Sequence, residues 1–263
     1  MNIYDKIKDL KFADWEDLFD KHLEWSKAND RVAGNPRFPK EPGTIIQFGI
    51  RCNDERNGDY LNIDIDFNNG KYNDYLITVL NVDDKSCRII ITEATCDPAK
   101  IYNGAGNPIG RAHLCQGVYN SYKLRAHNYQ NANFPEIGNQ PRASICQDKD
   151  KVKVVRTDGK GKEVDPKKYS PWGMHTINIH PGPTDSSLGC SMWKSTLAYV
   201  QLVFPILYST KTKKYLPANK DDITYVLINQ KNLEKYLDET VPAQATNGEG
   251  FRYIGEAKNA KKI

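Results

Sequence analysis

Ile177-Asn178-Ile179-His180-Pro181-Gly182-Pro183-Thr184-Asp185-Ser186-Ser187-Leu188-Gly189-Cys190 is the stretch around which this chain is organised. Its first residues read as the end of a short strand. Pro, Gly and Ser make its middle a tight polar loop. Its end sets a cysteine directly after a glycine. A histidine ahead of a cysteine, joined by such a loop, can be folded back so that imidazole and thiol meet. The stretch is therefore a candidate Cys/His nucleophile pair, and the chain around it must supply the strands that hold it.

Those strands are visible on both sides. Residues 5–28 read as helical, with Trp15, Leu18, Phe19, His22, Leu23 and Trp25 at three- and four-residue steps. Residues 29–43 hold Gly34, Pro36, Pro39, Pro42 and Gly43 and read as an irregular connection, so that helix and linker stand as an N-terminal decoration or docking element. From Thr44 the period changes to two. Strands are expected at 45–50, 60–67, 76–82 and 87–94, with Asn69-Gly70 as a turn and 83–86 as a hairpin. Asn62, Asp64 and Asp66 alternate with apolar residues and read as a wet strand face rather than a calcium ladder. Residues 103–110 form a Gly/Pro/Asn-rich loop. Further strands are expected at 113–119 and 122–127, separated by a turn or bulge at Gln116-Gly117, and at 144–147, 152–156 and 172–179. A helix over 193–208 ending near Pro205, a strand at 223–229 and a short helix at 233–237 complete the domain. From residue 243 the tail reads as loose, apart from Phe251, Tyr253 and Ile254. Many short strands with one or two helices predict a mainly β fold, a closed barrel or a sandwich. The expected division is an N-terminal helix and linker over 1–43, a catalytic domain over 44–238 and a tail over 239–263.

The chemistry of the central stretch follows from its residue types. A thiol attacks as thiolate, and its pKa falls beside an imidazolium or exposed backbone N–H groups. Gly189 permits a steep backbone turn at Cys190. A helix following Cys190 would place the thiol at a helix N-terminus. The N–H groups of Gly189 and Cys190 would then cradle an oxyanion. Strand alternation puts Thr176, Asn178 and His180 on one face and turns His175 away, which argues against a His175/His180/Cys190 zinc site. No metal and no cofactor are expected. The group that orients His180 is left open among Asp185, Asn178 and a backbone carbonyl.

The bulk numbers set bounds. With 263 residues, 39% hydrophobic and 27% charged, the chain has the composition of a soluble globular protein of one large domain or two small ones. A net charge of +4, with lysines scattered except at Lys258, Lys261 and Lys262, gives no nucleic-acid arm. No apolar run is long enough to span a membrane, and the first ten residues carry no signal-peptide pattern. Six irregularly spaced cysteines without a C-x-x-C pair argue against structural zinc, and only Cys190 lies in a loop suited to reactivity. Cysteine peptidases that place the cysteine before the histidine are excluded by order, because no histidine follows Cys190.

His180-Pro181-Gly182 followed by Ser187-Leu188-Gly189-Cys190 resembles the signature of the L,D-transpeptidase catalytic-domain (YkuD-type) family. Asn73-Asp74, Ala94 to Pro98, Gly110 to Tyr119, Lys123 to His127 and Val152 to Gly159 are similar to blocks of that family's phage- and effector-associated branch, so the likeness covers roughly 73–230. The resemblance implies an L,D-transpeptidase-like β domain acting on peptidoglycan stem peptides. Cys190 would attack an L,D-peptide bond, His180 would be the base, Gly189 with Cys190 would line the oxyanion hole, and Ser187 would support the loop. His127, Tyr119, Gly182 and Asp185 are the candidate substrate-binding residues, with His113 and Tyr122 as further candidates to line the cleft. Leu188 stands where the family commonly has a second histidine and Met192 where it has Arg or Asn. These departures and a short loop favour an L,D-carboxypeptidase over a transpeptidase. The alternative is a non-catalytic wall-binding or interaction module. A chain without a recognisable signal peptide and with a wall-directed fold would act in the periplasm or wall after delivery, with delivery machinery or an immunity protein as partner.

Overall fold

The computed structural model describes residues 3–52, 74–83, 86–96, 110–127, 137–158, 163–181 and 189–239, with the backbone of 251–254. The expected strand at 60–67, its Asn62/Asp64/Asp66 face, the Asn69-Gly70 turn and nearly all of the 103–110 loop lie outside the described residues.

The strands are β1 (Val32–Ala33), β2 (Ile45–Arg51), β3 (Asp74–Asp83), β4 (Ser86–Thr95), β5 (Arg111–Leu114), β6 (Gly117–Ala126), β7 (Ala143–Gln147), β8 (Val152–Thr157), β9 (Trp172–Gly173), β10 (Ile179–Pro181), β11 (Ser191–Trp193), β12 (Tyr208–Ser209), β13 (Lys214–Tyr215), β14 (Ile223–Asn229) and β15 (Phe251–Ile254). The helices are α1 (Ile3–Ile7), α2 (Phe12–Ala28), α3 (Thr196–Ala198), α4 (Phe204–Leu207) and α5 (Gln230–Glu239). The main sheet runs β6-β14-β2-β3-β4-β11-β10-β7, and β7 pairs back onto β6, so the sheet closes into a barrel. Closure removes the free edges that an open sheet would expose. The fold is mainly β, as the period-two segments predict.

Alternation along the strands fills both faces of this wall. Ile45, Leu76, Ile90, Tyr119, Tyr122, Tyr225 and Leu227 share one cluster with Ile145 and Ile179, which is the barrel interior. Ile46, Phe48, Ile77, Val79, Val118, Val226 and Ile228 point the other way. They meet Ile3, Ile7, Trp15, Leu18 and Phe19 of α1 and α2 and Leu233 and Tyr236 of α5. The N-terminal helix is thus a layer of the same fold rather than a decoration. Its apolar stripe closes the outer core, and its continuity breaks after Ile7, before α2 begins at Phe12. Buried His22 joins the layers, since its ring nitrogens meet the Leu227 carbonyl at 2.9 Å and the Tyr236 hydroxyl at 3.1 Å.

Three differences from the sequence reading bear on the site. First, the expected strand over 172–179 is broken. β9 ends at Gly173, and β10 starts only at Ile179. Between them Thr176 adopts φ +58°, a left-handed conformation that disfavours a β-branched side chain. Second, Cys190 leads into β11, not into a helix. The helix starts at Thr196, and Ser195 caps it by accepting from Ala198 N–H. It then runs through a widened π turn at Tyr199–Val203 and on past Pro205. The π turn carries an i→i−5 bond from Phe204 N–H to the Tyr199 carbonyl. This geometry suits the residues just before a proline that clashes with the preceding turn. Third, the apolar residues that stood out in the tail form a strand, β15, which pairs in parallel with β4 over Arg88 to Ile91. Among the described residues, no helix is long and apolar enough to cross a membrane.

Candidate active site

β10 and β11 lie side by side and parallel, with Ile179 opposite Ser191 and His180 opposite Met192. The loop that joins them is the quoted stretch, and Gly182, Asp185 and Ser187 within it lie outside the described residues. The register sets Asn178 beside Cys190. Ser191 N–H donates to the Asn178 carbonyl at 2.9 Å, and Asn178 N–H donates to Cys190 Sγ at 3.3 Å. The thiol in turn donates to the Thr176 carbonyl at 3.5 Å, so the strained residue supplies one of its backbone contacts. On the next residue, Ser191 Oγ and the Tyr225 hydroxyl are 2.9 Å apart, which ties the chain beyond Cys190 to the barrel interior.

Gln147 holds the kink in place. Its side-chain oxygen accepts from both His175 N–H and Ile177 N–H, at 3.0 and 3.1 Å, on either side of Thr176. Its amide nitrogen donates to the carbonyls of Asp150 and Gly173. Its backbone N–H donates to Asn178 Oδ1 at 2.9 Å. Single-residue reading did not find this clamp, because its partners lie about thirty residues downstream.

Gly189 has φ +157° and no room for a side chain. A Cβ there would sit 2.6 Å from Ile177 Cδ1 and 2.7 Å from the Ala112 carbonyl oxygen. Glycine is therefore required both by conformation and by the close approach to β5. Gly189→Ala is expected to lower the unfolding free energy by about 1–3 kcal/mol. Urea denaturation measures it, and an unchanged midpoint would show that the loop shifts freely.

His180 is 9% exposed. Its Nδ1 lies 3.0 Å from the Pro181 carbonyl, so a backbone carbonyl orients this ring, while Asp185 lies outside the described residues. Asn178 does not fill that place; its Nδ2 meets Nδ1 of His127 at 3.4 Å. The His127 and His180 rings stack with centroids 4.2 Å apart and planes 26° from parallel. His127 is set by the end of the β6–β7 pair, where its N–H donates to the Arg142 carbonyl and Arg142 Nε donates to its carbonyl at 2.8 Å.

The remaining candidates separate cleanly. Tyr119 is 0% exposed, and its hydroxyl donates to the Cys115 carbonyl, so it is a core residue and not a cleft residue. Tyr122 packs edge-on against Tyr225 in the same interior. His113 is buried with Nε2 2.7 Å from Thr157 Oγ1, which pins β5 to β8. His175 is turned away from His180, as expected, but by the Thr176 kink and not by strand alternation. Its ring lies over Gly173, with Nε2 3.3 Å from the Pro171 carbonyl. Among the described residues, no group of three His, Cys, Asp or Glu is placed to hold a metal.

Burial governs the electrostatics. It pushes the His180 imidazole down to about 4, helped by the charge of His127 and opposed by the Pro181 carbonyl. It also lowers His127, with Arg142 adding to the effect. It raises the Cys190 thiol, opposed by the Asn178 N–H. The resting site thus holds a neutral Cys190 thiol and neutral His127 and His180 imidazoles rather than charged forms of these groups. Met192, fully buried and paired with His180 and Thr95, contributes an apolar flank to that environment.

Compared with protein-family models, with curated proteins and with solved structures, the chain matches none.

Proposed function

We propose that the chain is a cysteine-dependent acyl-transfer enzyme that trims peptidoglycan stem peptides at an L,D-peptide bond. The observation that carries the reading is the tie of His180 Nδ1 to the Pro181 carbonyl, on the strand that holds Cys190 through Asn178. A carbonyl only accepts, so Nδ1 bears the proton and Nε2 keeps its lone pair. That is the state a general base requires.

In this scheme the thiol proton passes to His180 Nε2 as sulfur attacks the substrate carbonyl. The C–N bond breaks, and the imidazolium returns the proton to the leaving amine. Water, deprotonated by His180, then attacks the thioester, and the acid leaves with Cys190 restored as thiol. Gly189 and Cys190 N–H groups would line the oxyanion hole, and Ser187, Gly182 and Asp185 belong to the segment of sequence between His180 and Cys190. Water as acceptor makes the enzyme a carboxypeptidase, and this fits the apolar Met192 and Leu188 positions. The family likeness of the His-x-Gly and Ser-x-Gly-Cys blocks supports the substrate class. Action in the wall would follow delivery, with an immunity protein as the protective partner.

The neutral resting site also suits a wall-binding module without catalysis. The two readings part on digestion of purified sacculi with the full chain, followed by mass analysis of the released muropeptides. Loss of a terminal D-residue without new cross-links is expected. Sacculi retained on the protein with unaltered masses would favour the binding module.

A further inference from the structure

Two imidazoles lie face to face at this site, and their neighbours fix a different proton position on each. His180 Nδ1 is 3.0 Å from a carbonyl oxygen, so it carries the proton. His127 Nδ1 is 3.4 Å from Asn178 Nδ2. The orientation of that amide is settled, because Asn178 Oδ1 accepts from Gln147 N–H at 2.9 Å. Asn178 Nδ2 is thus a donor, and it can only give to a lone pair on His127 Nδ1. The proton of neutral His127 is therefore on Nε2.

We infer that His127 is a positioning residue for His180. Its ring, held by Asn178 and stacked at 4.2 Å, adds to burial in disfavouring a charge on His180 and so helps leave the Nε2 lone pair available. The stack fixes the plane of the His180 ring. It also allows only one positive charge at a time, since two imidazolium rings at this separation repel. The Arg142 guanidinium, bonded to the His127 carbonyl at 2.8 Å, adds to the same repulsion, and Tyr199 interacts with that guanidinium. Leu188 leaves the loop without a second histidine, and β6 brings one from elsewhere in the sequence. The catalytic meaning of the arrangement rests on the proposed acyl-transfer reading; the proton positions do not.

The test is a long-range proton–nitrogen spectrum of the full chain labelled with ¹⁵N-histidine, followed over pH. Two neutral tautomers are expected, Nδ1–H for His180 and Nε2–H for His127. His127→Gln removes the facing ring, which can take up a charge in acid, and retains a polar side chain. It is expected to raise the His180 titration midpoint by about one unit, which a purely structural role would not do. The same tautomer on both rings in the wild-type chain would overturn the inference, and so would an unmoved His180 midpoint in a folded His127→Gln chain. Sacculi that stay undigested while the two tautomers are observed would count against the substrate reading alone.

Discussion

Cys190→Ala is expected to lower release of terminal residues from sacculi by at least about a thousandfold, the usual scale for loss of a covalent nucleophile. The fold should survive. The thiol is half-buried, and its contacts include the Asn178 N–H and the Thr176 carbonyl, both uncharged backbone groups. The unfolding free energy should stay within about 1 kcal/mol of wild type. His180→Gln should reduce release to a similar degree, because Gln offers no proton acceptor of imidazole basicity. Mass analysis of soluble muropeptides at matched protein concentration checks both. Residual release above about a tenth of wild type in Cys190→Ala would place the nucleophile elsewhere.

Acid should unfold this chain more readily than its composition suggests. His180 titrates at about 4 in the folded chain against an ordinary value of 6.5. The unfolded state therefore binds the extra proton first, and stability rises with pH across this window. The contribution is fully present above pH 6.5 and is lost as pH falls through about 4. At 1.36 kcal/mol per unit this is roughly 3 kcal/mol. His127 and His175, both lowered by burial, act in the same direction. Urea denaturation at neutral pH and near pH 4 measures the difference. His180→Gln should flatten the dependence, and equal unfolding free energies at both pH values would contradict a buried neutral His180.

Most strands were legible because their apolar residues alternate. β2, β3, β4, β7, β8 and β14 fall within a residue or two of the expected spans. The mainly β class follows from that count of short strands. Barrel closure was left open between barrel and sandwich, since pairing of β7 onto β6 is a long-range choice that no local pattern records. The break at Thr176 was also hidden. A β-branched residue in an apolar run reads as strand, and Gln147, far away in sequence, brackets it at positive φ. At the site, the Cys190 neighbourhood and the importance of Gly189 were readable from spacing. The His127 stack was not, because it depends on β6, β7 and β10 meeting. Tyr119 was misplaced in the cleft because strand alternation was not followed through β6. Val118 lies in the outer core, so Tyr119 faces the interior.

Intact-mass analysis of the full chain, quenched in acid during digestion of sacculi, tests the central claim most directly. The account predicts a transient adduct of stem-peptide mass, mapped by proteolysis to Cys190 and lost in Cys190→Ala. Release of terminal residues at an undiminished rate from Cys190→Ala, with no adduct at Cys190 in the wild-type chain, would contradict it.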